Sequence, residues 1–464
     1  MAARGAFNTR LGFILAAAGS AVGLGNIWKF PFEVGNGGGA AFVLVYLAFC
    51  FILCYPVLVT EIAIGRKTQR NPVGAFKALG FRNWSIIGYL GLASGVLILS
   101  FYNVVAAWSF GYVIEMIMGN FAIGSEFGHF IADALTVGIY GLIFMATTAF
   151  IVSNGVSGGI ERAAKVLMPS LFVIILGLLI YALTLPNAMA GVEFYLVPDF
   201  SKLTGDVIYS ALGQAFFSLS LGMGALITYG SYLDRKENIV SAGAFITLAD
   251  VGIAFIAGFM MFPFVFSQGI EPNGGPGLIF VTLPGVFETL GPVIGMICGV
   301  LFFLLLTFAA LTSTVSLLEV PTSYVVDEHG VERKKAVWII ATIIFIIGIP
   351  SMLSNGTVDW LSQFVTLPGH DKAISFMDLV EDLAADSFLP VGGFLIAVFA
   401  AWVWRKENLN EELAQGDEAI RGSLLQKYID FAISYICPLM LGTIAIVTIL
   451  DRFVGIDLVT KIFG

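Results

Sequence analysis

Apolar runs near or above twenty residues recur from one end of the chain to the other, separated by short polar joints. About twenty apolar residues suffice for a helix to cross the ~30 Å hydrocarbon core of a bilayer. The pattern predicts eleven spanning segments, at about 10–33, 40–65, 83–116, 134–152, 160–184, 205–233, 238–267, 292–327, 335–353, 376–404 and 429–450. The residues after Asp451 are too few for another span. An apolar but short stretch near 275–290 is expected to form a re-entrant or surface hairpin, and a polar loop near 354–375 to cap the outside.

Two segments carry polar interruptions at their middles. In the first, Gly19-Ser20-Ala21-Val22-Gly23-Leu24-Gly25-Asn26 precedes Ile27-Trp28-Lys29-Phe30-Pro31. In the sixth, Gln214 to Gly224 holds Ser218, Ser220 and the glycines of Gly222-Met223-Gly224. Glycine costs roughly 1 kcal/mol against alanine inside a helix, so both are predicted breaks. Backbone groups freed at membrane depth are tolerated only where they face protein or a water-filled cavity. Close helix packing through small residues would also use such glycines. Breaks in corresponding helices of two halves, however, mark a transporter site between inverted repeats. Spans one to five (about 10–184) and six to ten (about 205–404) would be the repeats, with 429–450 appended, all in one transmembrane domain.

Composition supports this reading. Of 464 residues, 58% are hydrophobic and 12% charged, against about 25% charged in soluble chains. Basic residues are strongly asymmetric. With the N-terminus inside, 18 of the 23 lysines and arginines fall in cytoplasmic segments, and the loops 119–133 and 267–292 carry none. The chain is therefore expected to be a multi-pass protein of the cell's inner (plasma) membrane with a cytoplasmic N-terminus. The net charge of −9 reflects acidic loops, and no basic face for nucleic acid is present. The four cysteines all lie in apolar stretches, with no metal or disulfide spacing.

Few ionisable groups lie within the spans. Asp250, in Thr247-Leu248-Ala249-Asp250, has no adjacent base. A carboxylate at a membrane-helix centre costs about 2.5–3.5 kcal/mol on insertion scales, so it is read as an ionised group beside a cation. Glu61 stands close to the cytoplasmic boundary and is expected to pair with a nearby arginine or a backbone end. Tyr102 becomes a site candidate only if its face borders the breaks. The hydroxyls of Thr312 and Ser313 either bond back to their own helix or supply hard oxygen ligands. Span five combines Gly158-Gly159 with Pro169, so its cytoplasmic end should open easily, or carry an ordinary proline kink. No nucleophile–base set stands out, which argues against an enzyme.

The run Asn8-Thr9-Arg10-Leu11-Gly12-Phe13 through Phe30-Pro31 resembles the neurotransmitter:sodium symporter family, in its bacterial amino-acid branch. The similarity continues through Asn36-Gly37-Gly38-Gly39, Pro56 to Gly65, Gly159-Ile160-Glu161-Arg162, Phe216 to Tyr229 and Leu311 to Ser313. It implies an all-α polytopic protein of the LeuT-like fold, with two inverted five-helix repeats and broken helices 1 and 6. It also implies uptake of a small amino acid with two sodium ions by alternating access. The first sodium would meet Ala21, Asn26, Ser218, Asp250 and the substrate carboxylate. The second would meet Gly19, Val22, Ala309, Thr312 and Ser313. The substrate carboxylate would meet Leu24, Gly25 and Tyr102, and its amino group carbonyls near Ala21, Phe217 and Ser220. Ile98, Phe217, Met223 and Leu317 would line the side-chain pocket. Lys29 and Asp378 resemble an external gate, and Arg4, Tyr232 and Asp327 an internal one.

Departures sharpen the expectation. Many relatives have Asn where this chain has Asp250, and chloride-dependent ones place an anion near the position of Ala254. A fixed carboxylate there implies transport without chloride. Gly23 stands where monoamine carriers have an Asp, so the ligand brings its own carboxylate. The flexible thioether of Met223 between glycines suits a hydrophobic or aromatic L-amino acid. Two alternatives stay open: a sodium-dependent carrier of another small amino acid or amine, and an amino-acid receptor of the same fold that transports nothing.

Overall fold

The computed structural model describes residues 5–269, 277–369, 371–456 and 458. Among the described residues nine helices are long and apolar enough to cross a membrane. The first span adds a bent pair, α1, made of Arg10–Ala21 and Gly25–Asn36, which meet at 52°. Then come α2 (Ala40–Thr68), α3 (Arg82–Ile117), α4 (Ala134–Ser153) and α5 (Val156–Ala182). The sixth span, α6, is two shorter helices, Gly205–Ser218 and Ala225–Gly230. It is followed by α7 (Ile239–Phe266), α8 (Pro292–His329), α9 (Arg333–Leu353), α10 (Phe376–Val403) and α11 (Leu424–Val454). These are the eleven expected spans, and the protein is a multi-pass membrane protein. Leu283–Thr289 is a short helix before α8. It follows a π-helical turn at Leu278–Thr282, and residues 275–276 at the start of the expected hairpin lie outside the described residues.

Helix ends follow local chemistry. Thr9 caps α1 by accepting the Gly12 N–H at 3.0 Å, Asp133 caps α4 and Asn238 caps α7 at 2.8 Å from the Ser241 N–H. Such side-chain oxygens satisfy donors that have no partner within the helix. α5 starts at Val156 rather than near 160, because Gly158 and Gly159 lie in a π-helical turn, Val156–Glu161, instead of ending the helix. Proline at 169 sits inside α5.

The two breaks have different causes. In α1 the chain becomes extended at Val22 (φ −69°, ψ 108°) and re-enters helix through a π-helical turn at Gly25–Lys29. In α6 the joint turns left-handed at Ser220 (φ 54°), Gly222 (φ 83°) and Gly224 (φ 77°). Glycine takes this conformation at little steric cost. A side chain at Gly222 would also run into the Leu389 carbonyl of α10. The unwound joint thus packs directly on α10 backbone.

Candidate functional site

The carboxylate of Asp250 is fully buried on α7. It accepts the Asn26 Nδ2 at 2.7 Å and the Ser218 hydroxyl at 2.9 Å. Both donors come from the breaks, one from each broken helix. The Asn26 Oδ1 accepts the Gly23 N–H at 3.0 Å, which holds the α1 turn. None of the ion pairs among the described residues involves Asp250. A buried charge costs several kcal/mol unless paired, and here only neutral dipoles face it. Its surroundings are oxygen-rich, the donor type that hard cations take. Tyr46 on α2 donates to Ser218 at 3.2 Å. This partner escapes sequence reasoning, since one tyrosine in an apolar run is the sole cue.

A second oxygen cluster lies between α1 and α8. The Thr312 hydroxyl donates to the Ala309 carbonyl at 2.9 Å and the Val22 carbonyl at 3.3 Å. Ser313 reaches the Ser20 and Val22 carbonyls, each at 3.4 Å. Gly19 is packed so close that an added Cβ would sit 3.2 Å from Thr312. Among the described residues no cluster of three His, Cys, Asp or Glu could hold a metal. A cation here would be held by carbonyls and hydroxyls alone.

Between the two clusters lies a small cavity, with about 360 Å³ of space between its lining atoms, open solvent included. Ala21, Gly25, Ile98, Tyr102, Phe217, Ser218, Ser220, Met223, Ser313 and Leu317 line it, with Ser20 and Gly23. Leu24 lies just outside the lining, and its N–H donates to the Tyr102 hydroxyl at 2.9 Å. Ser220 turns inward to the Ser20 carbonyl at 2.9 Å. Its left-handed conformation, which points the hydroxyl across to α1, is invisible in sequence. Phe217 and Tyr102 also border a larger vestibule of about 1,110 Å³ that opens toward Lys29, Asp378 and Glu381. The two rings separate the chambers.

The gate residues fare unevenly. Lys29 Nζ stands 4.7 Å over the Phe217 ring. No ion pair joins it to Asp378, whose carboxylate instead accepts its own helix's Ser375 N–H at 3.1 Å. The carboxylates whose charge acts on Lys29 are Asp386, Glu381 and Glu33. At the opposite end, Tyr232 donates to Glu319 at 2.6 Å, and Arg333 grips Glu319 at 2.5 and 3.0 Å. Asp327 accepts the Asn71 N–H at 3.1 Å, and Arg4 lies outside the described residues. Glu161 accepts the Asn8 N–H at 2.7 Å and the Thr9 hydroxyl at 2.8 Å, tying the start of α1 to α5. Glu319, a lone acid in an apolar helix, carried the same signal as Asp250. Glu61 pairs with no arginine; it accepts the Gly222 N–H at 2.7 Å at the joint of α6.

Two broken helices meeting at a buried, oxygen-lined cavity define a membrane transporter of the broken-helix class. The family model for sodium:neurotransmitter symporters matches residues 4–126 and 135–454. The chain belongs to that family: it is a sodium-dependent transporter, not an enzyme. It is 37% identical to an uncharacterised sodium-dependent transporter of Bacillus subtilis over 97% of both chains. A second such transporter, of Methanocaldococcus jannaschii, is 32% identical over 93% of this chain and 88% of that one. The crystal structure of MhsT in complex with L-phenylalanine is similar at 42% identity, covering 96% of this chain and 99% of that one, with a TM-score of 0.87.

Proposed function

We propose that the protein takes up hydrophobic or aromatic L-amino acids together with two sodium ions, by alternating access and without chloride. The observation that carries this reading is the buried Asp250 carboxylate, faced only by the neutral donors Asn26 and Ser218. A sodium ion there would be held by Ala21, Asn26, Ser218 and Asp250. A second would be held by Gly19, Val22, Ala309, Thr312 and Ser313. The permanent carboxylate supplies the negative charge that a chloride ion would otherwise bring. The substrate's own carboxylate would lie against Leu24, Gly25 and Tyr102 beside the first ion. Sodium and substrate then each improve the other's binding, a reciprocal coupling free energy.

The apolar lining from Ile98, Phe217, Met223 and Leu317 favours a hydrophobic side chain, and the similar MhsT was crystallised with L-phenylalanine. The basic asymmetry supports a cytoplasmic N-terminus, with the vestibule facing outward and the inner side closed by Tyr232, Glu319 and Phe7, whose N–H donates to the Tyr232 carbonyl at 3.3 Å. Lys29 with the acids of α10 acts as the outer gate. Reconstituted protein is tested with labelled tryptophan and leucine, in sodium or potassium and in chloride or gluconate. Sodium-driven uptake that is indifferent to chloride is expected. Uptake that requires chloride overturns the role of Asp250, and binding without accumulation turns the reading to a receptor.

A further inference from the structure

A second polar cavity, of about 860 Å³, opens at the Lys29 end between α1, α6, α10 and α11. Phe217 and Lys29 border both it and the vestibule. The two chambers have different walls. The vestibule is lined by rings, among them Trp28, Phe101, Trp108 and Phe280, which suit an organic side chain. The side cavity is lined by Glu33, Ser210, Gln214 and Asp386, with Lys29 and Arg452. Both cations are engaged: Arg452 reaches Asp382 at 3.7 Å and Asp386 at 3.6 Å, and Lys29 stands over Phe217.

The floor of this cavity is what points to a ligand. Ser210, Gln214 and Ser218 are four residues apart along the first half of α6, so they share one helix face. Ser210 donates to Glu33 at the cavity wall. Gln214 Nε2 donates to the Gly25 carbonyl at 2.8 Å, next to Asn26. Gln214 is 2% exposed, and its Oε1 is buried with no hydrogen-bond partner. Such an unpaired buried acceptor costs roughly 1–3 kcal/mol. One turn below, Ser218 donates to Asp250. Oxygens thus run along one helix face from the cavity wall to the buried carboxylate.

We propose that this cavity is a cation entry site: sodium reaches the Asp250 centre along the Ser210–Gln214–Ser218 face, separately from the vestibule that admits the organic substrate. The inference rests on reading Asp250 as a sodium ligand. The unpaired Gln214 amide oxygen strips part of the ion's water as it passes. An entry route alters rates and leaves the equilibrium constant alone.

The test uses full-length protein carrying Ser210→Cys, modified with neutral benzyl methanethiosulfonate; the four native cysteines are all buried. Charge movement after a sodium jump is recorded on solid-supported membranes, and equilibrium ²²Na⁺ binding in parallel. The modified cysteine should slow the sodium-induced charge movement about tenfold, the lower end of what charged clefts add to on-rates, with equilibrium sodium binding unchanged. The same reagent on Asn355→Cys, in the vestibule, should block substrate and leave the sodium rate alone. Glu33→Gln, which introduces no bulk, should slow the sodium step in the same direction. An unchanged rate in modified Ser210→Cys, or equal slowing from Asn355→Cys, overturns the separate route. If Asp250→Asn binds ²²Na⁺ as well as the unaltered protein, the sodium-ligand reading itself falls, and the route with it.

Discussion

At the scale of single residues, Asp250 and Gly23 divide the work of the site. Two unit charges ~4 Å apart attract by about 4 kcal/mol at an effective dielectric near 20. Asp250→Asn should therefore weaken sodium affinity by at least about tenfold, or 1.4 kcal/mol, and make transport respond to chloride. Sodium titrations in chloride and in gluconate check both. Gly23 has no room for a side chain: a Cβ would sit 2.5 Å from the Ser313 hydroxyl and 2.8 Å from that of Tyr102. Gly23→Ala should abolish substrate binding in scintillation proximity assays, while the protein elutes as a single peak at the usual position. The site was largely legible at this scale because its residues cluster at interruptions of apolar runs. Tyr46 and Gln214 give no such cue, since each is one polar group in a hydrophobic stretch and only the fold aims it at Ser218 or Gly25. The carboxylates whose charge acts on Lys29 are Asp386, Glu381 and Glu33 rather than Asp378. Asp378 and Glu381 stand three residues apart, and the capping box at Ser375 turns the first onto its own helix.

At the scale of elements, the eleven spans follow from run length, but their internal geometry does not. The π-helical turns at Gly25–Lys29 and Val156–Glu161 depend on packing rather than propensity. The joint of α6 depends on close contact between Gly222 and α10. The inner half of α1 is the element that has to move if the Phe7 end opens. Its start is held by two hydrogen bonds to Glu161, and bonds to a charged group are worth about 1.5–3 kcal/mol net. Glu161→Ala should shift the protein toward an open inner side. A cysteine placed at buried Ala17 should then react roughly tenfold faster with a soluble thiol reagent, as about 1.4 kcal/mol implies. Lys165, which reaches Glu161 at 2.6 Å, keeps that carboxylate paired once α1 departs. Glu161→Gln retains an acceptor and should fall between.

At the scale of the whole molecule, one polar lock joins distant parts of the chain. Arg66, at the end of α2, is fully buried and meets Glu412 at 2.7 Å in the short helix Lys406–Ala414. It also donates to the Glu237 and Glu412 carbonyls, so α2 holds the segments that lead into α7 and α11. Removing one partner of a buried pair costs about 3–5 kcal/mol, whereas replacing both with apolar groups is often neutral. Arg66→Ala or Glu412→Ala should lower the melting temperature in detergent markedly, and Arg66→Met with Glu412→Leu should recover most of it.

That same contact sets an order of events during synthesis. Arg66 and Glu412 are 346 residues apart, so at ~5–20 residues per second the arginine waits about 20–70 s for its partner. Until then its guanidinium has to stay at the membrane surface, in water or among lipid headgroups. Eight further spans enter the bilayer during that interval. The bundle can be threaded early but is latched late, when the arginine is drawn inside. Ribosome-stalled chains ending before Lys406 should stay sensitive to protease at residues 66–70, and chains extending past Ala414 should lose that sensitivity.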